Sequence, residues 1–139
     1  MKVLFDTNVV LDAMLLREPH WPAARTLLSY AETRRLEGWI GATSVTMIDS
    51  LVRKTLGPAP ARGLMRDLLA LFQVAPVDGA VLLDALDLGL ADFEDAVLFE
   101  AARAAGVSVI VTRNGRDFRE AAIRVLSPEE LVAVVGVGS

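Results

Sequence analysis

Short apolar runs alternate along this chain with longer segments of helical periodicity, and no other feature of the sequence restricts its fold as much. Strands are predicted at residues 2–5, 39–43, 71–75, 107–112 and 123–126. Helices are predicted at residues 7–17, 21–36, 44–56, 61–70, 78–88 and 92–105, with a last helix that begins at Ser127-Pro128-Glu129-Glu130. Because a helix that connects two strands leaves those strands parallel, we expect an α/β protein with three α/β/α layers and a central parallel sheet of four to five strands.

The length and composition favour a single domain over residues 1–139. Just over half of the residues are apolar, which is enough to form a packed core. No apolar run reaches the roughly 18 residues that a membrane helix needs. Asp6 comes too early in the chain for a secretory signal. We therefore expect a cytoplasmic protein that does not contact a membrane.

The counts of cysteine, histidine and charge exclude several classes of site. The chain has no cysteine, and His20 is its only histidine, so disulfides, thiol catalysis and the usual zinc sites are excluded. The formal net charge of −4 is unlike that of a general nucleic-acid binder. However, twelve of the fourteen basic residues are arginine, the side chain best shaped for phosphate. Net charge therefore does not decide the class of partner.

Four aspartates lie where the hydrophobic pattern predicts an apolar or neutral side chain. They are Asp6, Asp49, Asp95 and Asp117. Asp6 directly follows the first strand, and Asp95 shares a helix face with Leu98 and Phe99. Asp49 lies at the margin of an apolar stripe. In parallel sheets, ligands bind beyond the carboxyl ends of the strands, so these positions favour a shared site.

A divalent cation would make such a cluster stable. Two carboxylates about 4 Å apart repel each other by roughly 4 kcal/mol at an effective dielectric constant of about 20. A site with oxygen ligands only favours Mg²⁺ or Mn²⁺. Such an ion polarises a phosphoryl oxygen and prepares a water molecule for attack.

Each of these aspartates also has a purely structural interpretation. Asp6 could cap the helix that follows, Asp49 could be a solvated residue at the edge of its helix, and Asp117 could form a turn. Asp95 could complete a capping box that Asp92 begins. Other acids are interpreted as solvated or capping residues, namely Asp12, Asp78, Asp84, Asp87 and Glu100.

The segment Phe5-Asp6-Thr7-Asn8 resembles the opening of PIN domains, the family of the VapC-like ribonucleases of toxin–antitoxin systems. Three later segments resemble the other motifs of that family in the same order: TSVTMID at residues 43–49, DFEDA at residues 92–96 and TRNGRDF at residues 112–118. The resemblance therefore extends from residue 5 to residue 118. It implies a PIN-like nuclease domain that uses Mg²⁺ or Mn²⁺ to cleave RNA with a metal-activated water.

The resemblance also implies roles for individual residues. The catalytic acids would be Asp6, Asp49, Asp95 and Asp117, of which Asp49 would orient the attacking water and the others would bind metal. Side chains that orient carboxylates or water would be Thr7, Asn8, Thr112 and Asn114. Additional candidate acids are Asp92 and Glu94. Independently of the resemblance, Arg113, Arg116 and Arg119 lie next to the last motif in the sequence and are expected to bind backbone phosphates, with solvated charges at a helix end as the alternative. The second motif of the family commonly carries Glu, and Asp49 is one methylene shorter.

The implied partners are an RNA substrate, a second copy of the chain in a homodimer, and a cognate antitoxin protein. The chain would be the toxin of a type II pair. The alternative is a degenerate PIN-like domain that binds RNA or a partner protein without catalysis.

Other phosphoryl-transfer and hydrolase folds fit less well. A haloacid-dehalogenase-type phosphatase needs a second aspartate where Asn8 stands, and a receiver domain needs a late lysine, whereas Lys54 is the last one. The chain has no Gly-x-x-x-x-Gly-Lys loop and no Gly-x-Ser-x-Gly elbow, so nucleotide hydrolysis and serine hydrolase chemistry are poorly supported.

Overall fold

The computed structural model describes residues 1–115 and 123–137, and a five-stranded sheet forms its centre. The strands are β1 (Lys2–Phe5), β2 (Glu37–Gly41), β3 (Gln73–Ala75), β4 (Val109–Val111) and β5 (Arg124–Leu126). The helices are α1 (Thr7–Leu15), α2 (Trp21–Glu32), α3 (Ala42–Leu56), α4 (Pro58–Leu71), α5 (Gly79–Leu86), α6 (Phe93–Ala104) and α7 (Pro128–Val137). All strand pairings are parallel, in the order β3-β2-β1-β4-β5, which confirms the predicted parallel sheet.

Side chains of the sheet alternate between two cores, one on each face. Val3 and Phe5 face the core that α1, α2, α3, α4 and α7 complete, whereas Leu4 and Ile110 face the core formed with α5 and α6. Strands that helices cover on both faces need apolar residues at every position, which explains the unbroken apolar runs of β1 and β4. The predicted arrangement of three layers is confirmed.

Helix α1 is buried from Val9 to Ala13, as its nearly continuous apolar sequence predicts. Asp12 is buried with them, although the sequence suggested a solvated or capping residue. Among the described residues, no helix combines the length and the apolar character that crossing a lipid bilayer requires.

The junction between β2 and α3 lies earlier than predicted. The strand begins before the predicted residue 39, so Gly38 lies inside β2, where a Cβ would be 2.6 Å from the ring of Phe72. The strand ends at Gly41, whose extended backbone forms the N-cap of α3 without a side-chain cap. Ser44, where the helix was predicted to begin, lies within the first turn of α3 and accepts a hydrogen bond from Thr7.

Helix α7 begins with the predicted capping residues. The backbone N–H of Ser127 donates to Glu130 Oε1 at 2.9 Å, and the N–H of Glu130 donates to Ser127 Oγ at 3.1 Å. Hydrogen bonding by the backbone N–H of Ser127, and secondly by its hydroxyl, holds the pKa of the Glu130 carboxyl below its ordinary value, because a donor to the carboxylate favours the ionised form. The reciprocal cap orients α7 against α2 behind the sheet.

Candidate active site

The carboxyl edge of the sheet collects polar side chains where the strand order reverses. From β1 the chain passes to β2 and β3 on one side of the sheet and returns to β4 on the other side. Asp6 directly follows β1, and Thr112 directly follows the neighbouring strand β4. Such a reversal leaves a crevice between the segments that leave the two strands, and it is the usual ligand site of parallel sheets.

A cavity of about 240 Å³ lies at this edge. Carboxylates, amides and hydroxyls line most of it, and a few apolar side chains line the rest. The lining residues are Asp6, Thr7, Asn8, Leu11, Thr43, Ser44, Met47, Leu51, Asp92, Glu94, Asp95, Leu98 and Asn114. All four segments of the sequence pattern therefore meet at one place, although more than a hundred residues separate Asp6 from Asn114.

Asp6 is 8% exposed, and a buried threonine orients its carboxylate. Thr112 Oγ1 donates to Asp6 Oδ2 at 2.7 Å and accepts from the backbone N–H of Asn114 at 3.0 Å. The side chain of Asp6 makes no capping hydrogen bond to α1, so the helix-cap interpretation has no support. The expected role of Thr112 as an orienting group agrees with this geometry.

Asp92 and Asp95 reach the cavity from the first turn of α6. Asp92 Oδ1 accepts from the backbone N–H of Asp95 at 3.2 Å and thereby caps the helix, as one interpretation of the sequence proposed. The same two residues line the cavity, together with Glu94 and Leu98. The cap and the site are therefore compatible, because Asp92 sets the helix start from which Asp95 projects.

Two hydroxyl groups connect the helices that begin beside the cavity. Thr7 Oγ1 donates to Ser44 Oγ at 2.8 Å and so links α1 to α3. The first turns of α1, α3 and α6 all line the cavity. Because the amino-terminal end of a helix carries partial positive charge, three such ends stabilise carboxylates and other anions in this space.

Asp49 does not line the cavity. Its side chain is 35% exposed and lies 3.9 Å from Arg53, one turn further along α3. The face of α3 that reaches the cavity carries Thr43, Ser44, Met47 and Leu51, so this helix contributes hydroxyl and apolar groups and no acid. The geometry therefore corresponds to the solvated-edge interpretation of Asp49 and does not support its predicted role of orienting water.

Arg113 was expected to bind phosphate, but its guanidinium contacts the buried carboxylate of Asp12. Arg113 Nε lies 2.7 Å from Asp12 Oδ2, and Nη2 lies 3.3 Å from Oδ1. Sequence reasoning missed Asp12, which is fully buried. The available signal was a single acid inside a helix that is otherwise apolar on all sides, because a buried charge requires a partner.

The rest of the fourth segment lies outside the described residues. Asp117, Arg116 and Arg119 fall in residues 116–122, so their predicted roles as metal ligand and phosphate-binding groups stay predictions.

The donor groups of the cavity fit a hard divalent cation. Four carboxylates and the amides of Asn8 and Asn114 supply oxygen ligands, and no histidine lines the space. Among residues 1–115 and 123–137, no three acidic or histidine side chains form a complete metal site. Mg²⁺ does not require three such side chains, since proteins usually bind this ion through one or two carboxylates and leave several of its water ligands in place.

The chain matches a family model of the PIN domain over residues 2–116. It is structurally similar to a toxin–antitoxin complex from Klebsiella pneumoniae, with 21% identity, a TM-score of 0.68 and coverage of 91% of this chain and 97% of that one. FitAcB from Neisseria gonorrhoeae matches with 20% identity, a TM-score of 0.68 and coverage of 91% and 98%.

VapC20 from Mycobacterium tuberculosis, described as a sarcin–ricin-loop-cleaving toxin, matches with 13% identity, a TM-score of 0.67 and coverage of 85% and 94%. At these identities the structural likeness shows the fold alone. No curated protein sequence matches the chain significantly.

Proposed function

This chain belongs to the PIN domain family, and from that premise we propose that it is a Mg²⁺- or Mn²⁺-dependent endoribonuclease and the toxin of a type II toxin–antitoxin pair. The observation that supports this proposal most is the meeting of Asp6, Asp92 and Asp95 in one cavity at the carboxyl edge of the sheet. Asp6 and the two α6 acids come from distant stretches of the chain, and the cap that Asp92 makes to α6 does not explain why Asp6 lies in the same cavity.

Asp6 and Asp95 are the proposed metal ligands. When bound, the ion supplies Lewis-acid stabilisation of the phosphoryl oxygen and a water of lowered pKa. Thr112 holds the Asp6 carboxylate in place with its 2.7 Å hydrogen bond. Asn8 and Asn114 are proposed to orient water with their amide groups, and Asp92 and Glu94 add negative charge at the rim. Asp117 is proposed as a further ligand and Arg116 as a phosphate-binding group.

Cleavage of RNA tests the proposal directly. The purified chain is expected to cut a single-stranded RNA in Mg²⁺ or Mn²⁺, to lose this activity in EDTA, and to leave a DNA of matched sequence intact. Electrophoresis of end-labelled substrates measures all three results. Undiminished cleavage in EDTA would contradict the metal dependence, and equal cleavage of DNA would contradict the substrate class.

One observation favours the degenerate domain as a second candidate. Helix α3 contributes no acid to the cavity, because Asp49 lies beside Arg53, and the α3 residues that line the cavity include Met47 but no carboxylate. Calorimetry with Mn²⁺ separates the two candidates, since a nuclease site binds the ion and a degenerate domain that acts through protein contacts does not need it.

Helix α5 carries apolar side chains that the described residues leave exposed, which supports a homodimer. Leu83 and Leu86 are each 66% exposed, and Leu82 is 39% exposed. Such an apolar stripe on one short helix is characteristic of a protein interface. We therefore propose α5 as the contact between two copies of the chain.

The substitution Leu83→Glu is expected to convert a dimer into a monomer, because a charge at a buried interface has no partner. Light scattering coupled to gel filtration measures the mass. Leu69→Glu on α4, at a leucine that is 45% exposed, is the matched control and is expected to leave the dimer intact. A monomeric wild-type chain would contradict the proposal.

A cognate antitoxin is the last proposed partner. The similar structure from Klebsiella pneumoniae is a toxin–antitoxin complex, and the cavity of this chain presents carboxylates that a cationic side chain of an antitoxin could contact. A short adjacent reading frame that encodes a DNA-binding amino-terminal segment would identify the candidate.

A further inference from the structure

The carboxylate of Asp12 is the most deeply buried charge in the part of the chain that the structure describes, and it lies outside the cavity. It projects from α1 with no exposed surface. A buried ionised carboxylate is costly unless it is paired and hydrogen-bonded. Arg113 supplies the opposite charge and two hydrogen bonds to the Asp12 carboxylate, at 2.7 and 3.3 Å. Arg17 Nη1 lies 3.8 Å from Asp12 Oδ1.

The position of Arg113 in the chain connects this ion pair to the acidic cavity. Its neighbour on one side is Thr112, which donates to Asp6, and its neighbour on the other side is Asn114, which lines the cavity. Asp6 and Asp12 stand immediately before and within the same helix, α1. The segment that leaves β4 is therefore attached to the β1–α1 unit twice, once through Thr112 and once through Arg113.

We propose that Arg113 and Asp12 form a positioning pair for the acidic site, an inference that rests on the proposed metal-dependent nuclease function. The planar guanidinium of Arg113 contacts both carboxylate oxygens of Asp12. This contact fixes the orientation of the Arg113 side chain as well as its distance from Asp12. This contact sets the backbone of residues 112–114. It thereby holds Thr112 in reach of Asp6 and keeps Asn114 in the cavity. Arg113 acts on the site through these neighbours and does not bind the substrate.

The variant Arg113→Lys tests the inference, because lysine keeps the charge but cannot bridge two oxygens. We expect faster hydrogen exchange of the Asn114 amide, by about tenfold, and unchanged exchange of the Asp6 amide, which bonds to Val111 in the sheet. We also expect the affinity for Mn²⁺ to fall about tenfold, as is typical when a group that orients a metal ligand is lost. Nuclear magnetic resonance and calorimetry measure these changes.

Arg17→Lys is the matched control, since Arg17 contacts the same carboxylate from outside residues 112–114. It is expected to preserve both Asn114 protection and Mn²⁺ affinity. Wild-type values for Arg113→Lys, or equal losses in both variants, would overturn the proposal. A lower melting temperature with unchanged Mn²⁺ affinity would overturn it too, because that result describes an ion pair with a structural role only.

Kinetics with RNA separate positioning from phosphate binding. For Arg113→Lys we expect kcat to fall about tenfold with an unchanged KM. A raised KM with an unchanged kcat would show that Arg113 grips the substrate, contrary to the proposal. If Arg113→Lys does not fold, Asp12→Asn is measured instead, with the same expected losses.

The exchange experiment needs neither metal nor RNA. A wild-type chain that binds no Mn²⁺ and cleaves no RNA would contradict the proposed function. The hydrogen-exchange rate of the Asn114 amide would still show whether Arg113 fixes the backbone of residues 112–114. The two failures are therefore distinguishable.

Discussion

Replacing Asp6 with asparagine is expected to reduce RNA cleavage by roughly a hundredfold, or about 2.7 kcal/mol of transition-state stabilisation. Asparagine has the same shape and still accepts a hydrogen bond from Thr112, but it removes the negative charge that a divalent cation requires. The melting temperature is expected to stay level or rise, because one source of repulsion among the cavity carboxylates is lost. Initial rates on a labelled RNA and thermal unfolding followed by circular dichroism measure the two effects.

Two control variants define what this result means. Asp84→Asn changes an exposed acid on α5 outside the cavity and is expected to leave the rate unchanged. Asp49→Asn is expected to lower the rate less than about threefold, since Asp49 lies beside Arg53 and away from the cavity. A large loss with Asp49→Asn would restore the water-orienting role that the sequence suggested. Full activity of Asp6→Asn would contradict the proposed site.

The substitution Phe99→Ala is expected to lower the free energy of unfolding by about 3–5 kcal/mol. Phe99 is 1% exposed and fills the core between α6 and the sheet. Its removal leaves a cavity that a packed interior cannot fully close. This loss is a large part of the roughly 5–15 kcal/mol by which domains are stable, so the variant is expected to be partly unfolded at 37 °C. Urea denaturation at 25 °C provides the measurement.

Phe93→Ala on the same helix is the matched control. Phe93 is 48% exposed at the start of α6, and its truncation is expected to cost less than about 1 kcal/mol. Both variants replace phenylalanine with alanine on the same helix. The difference between their losses in unfolding free energy therefore reports the effect of burial, apart from residue type and helix propensity. Similar losses in the two variants would mean that α6 does not pack as described.

The fold was predictable because its signals are local. Strands that helices cover on both faces have apolar runs in their sequence, and glycine follows several of the helices. The three layers and the parallel sheet can therefore be predicted from the pattern. Asp6 and Asp95 were predictable for the same reason, since each breaks an apolar pattern beside a strand end or on a buried helix face. The early start of β2 was not predictable, because it brings Gly38 against Phe72, a residue far away in the sequence.

Two predicted site residues, Asp49 and Arg113, make contacts that the sequence did not indicate, for a different physical reason. A helix wheel places Asp49 at the margin of an apolar stripe, and a difference of a few tens of degrees decides whether it faces the cavity or Arg53. Arg113 has phosphate-binding chemistry, but only the folded chain shows that the buried Asp12 already engages it. Arg113 and Asp12 lie 101 positions apart in the chain, and no local pattern of a single sequence encodes such a contact.

The adjacency of β1 and β4 also limits when the site can exist during synthesis. Asp6 leaves the ribosome first, but its threonine partner lies 106 positions later, after β4. A nascent chain that ends before Val109 lacks β4, and it also lacks Thr112 and Asn114, which follow that strand. The cavity is therefore complete only after β4 and the residues that follow it have been synthesised.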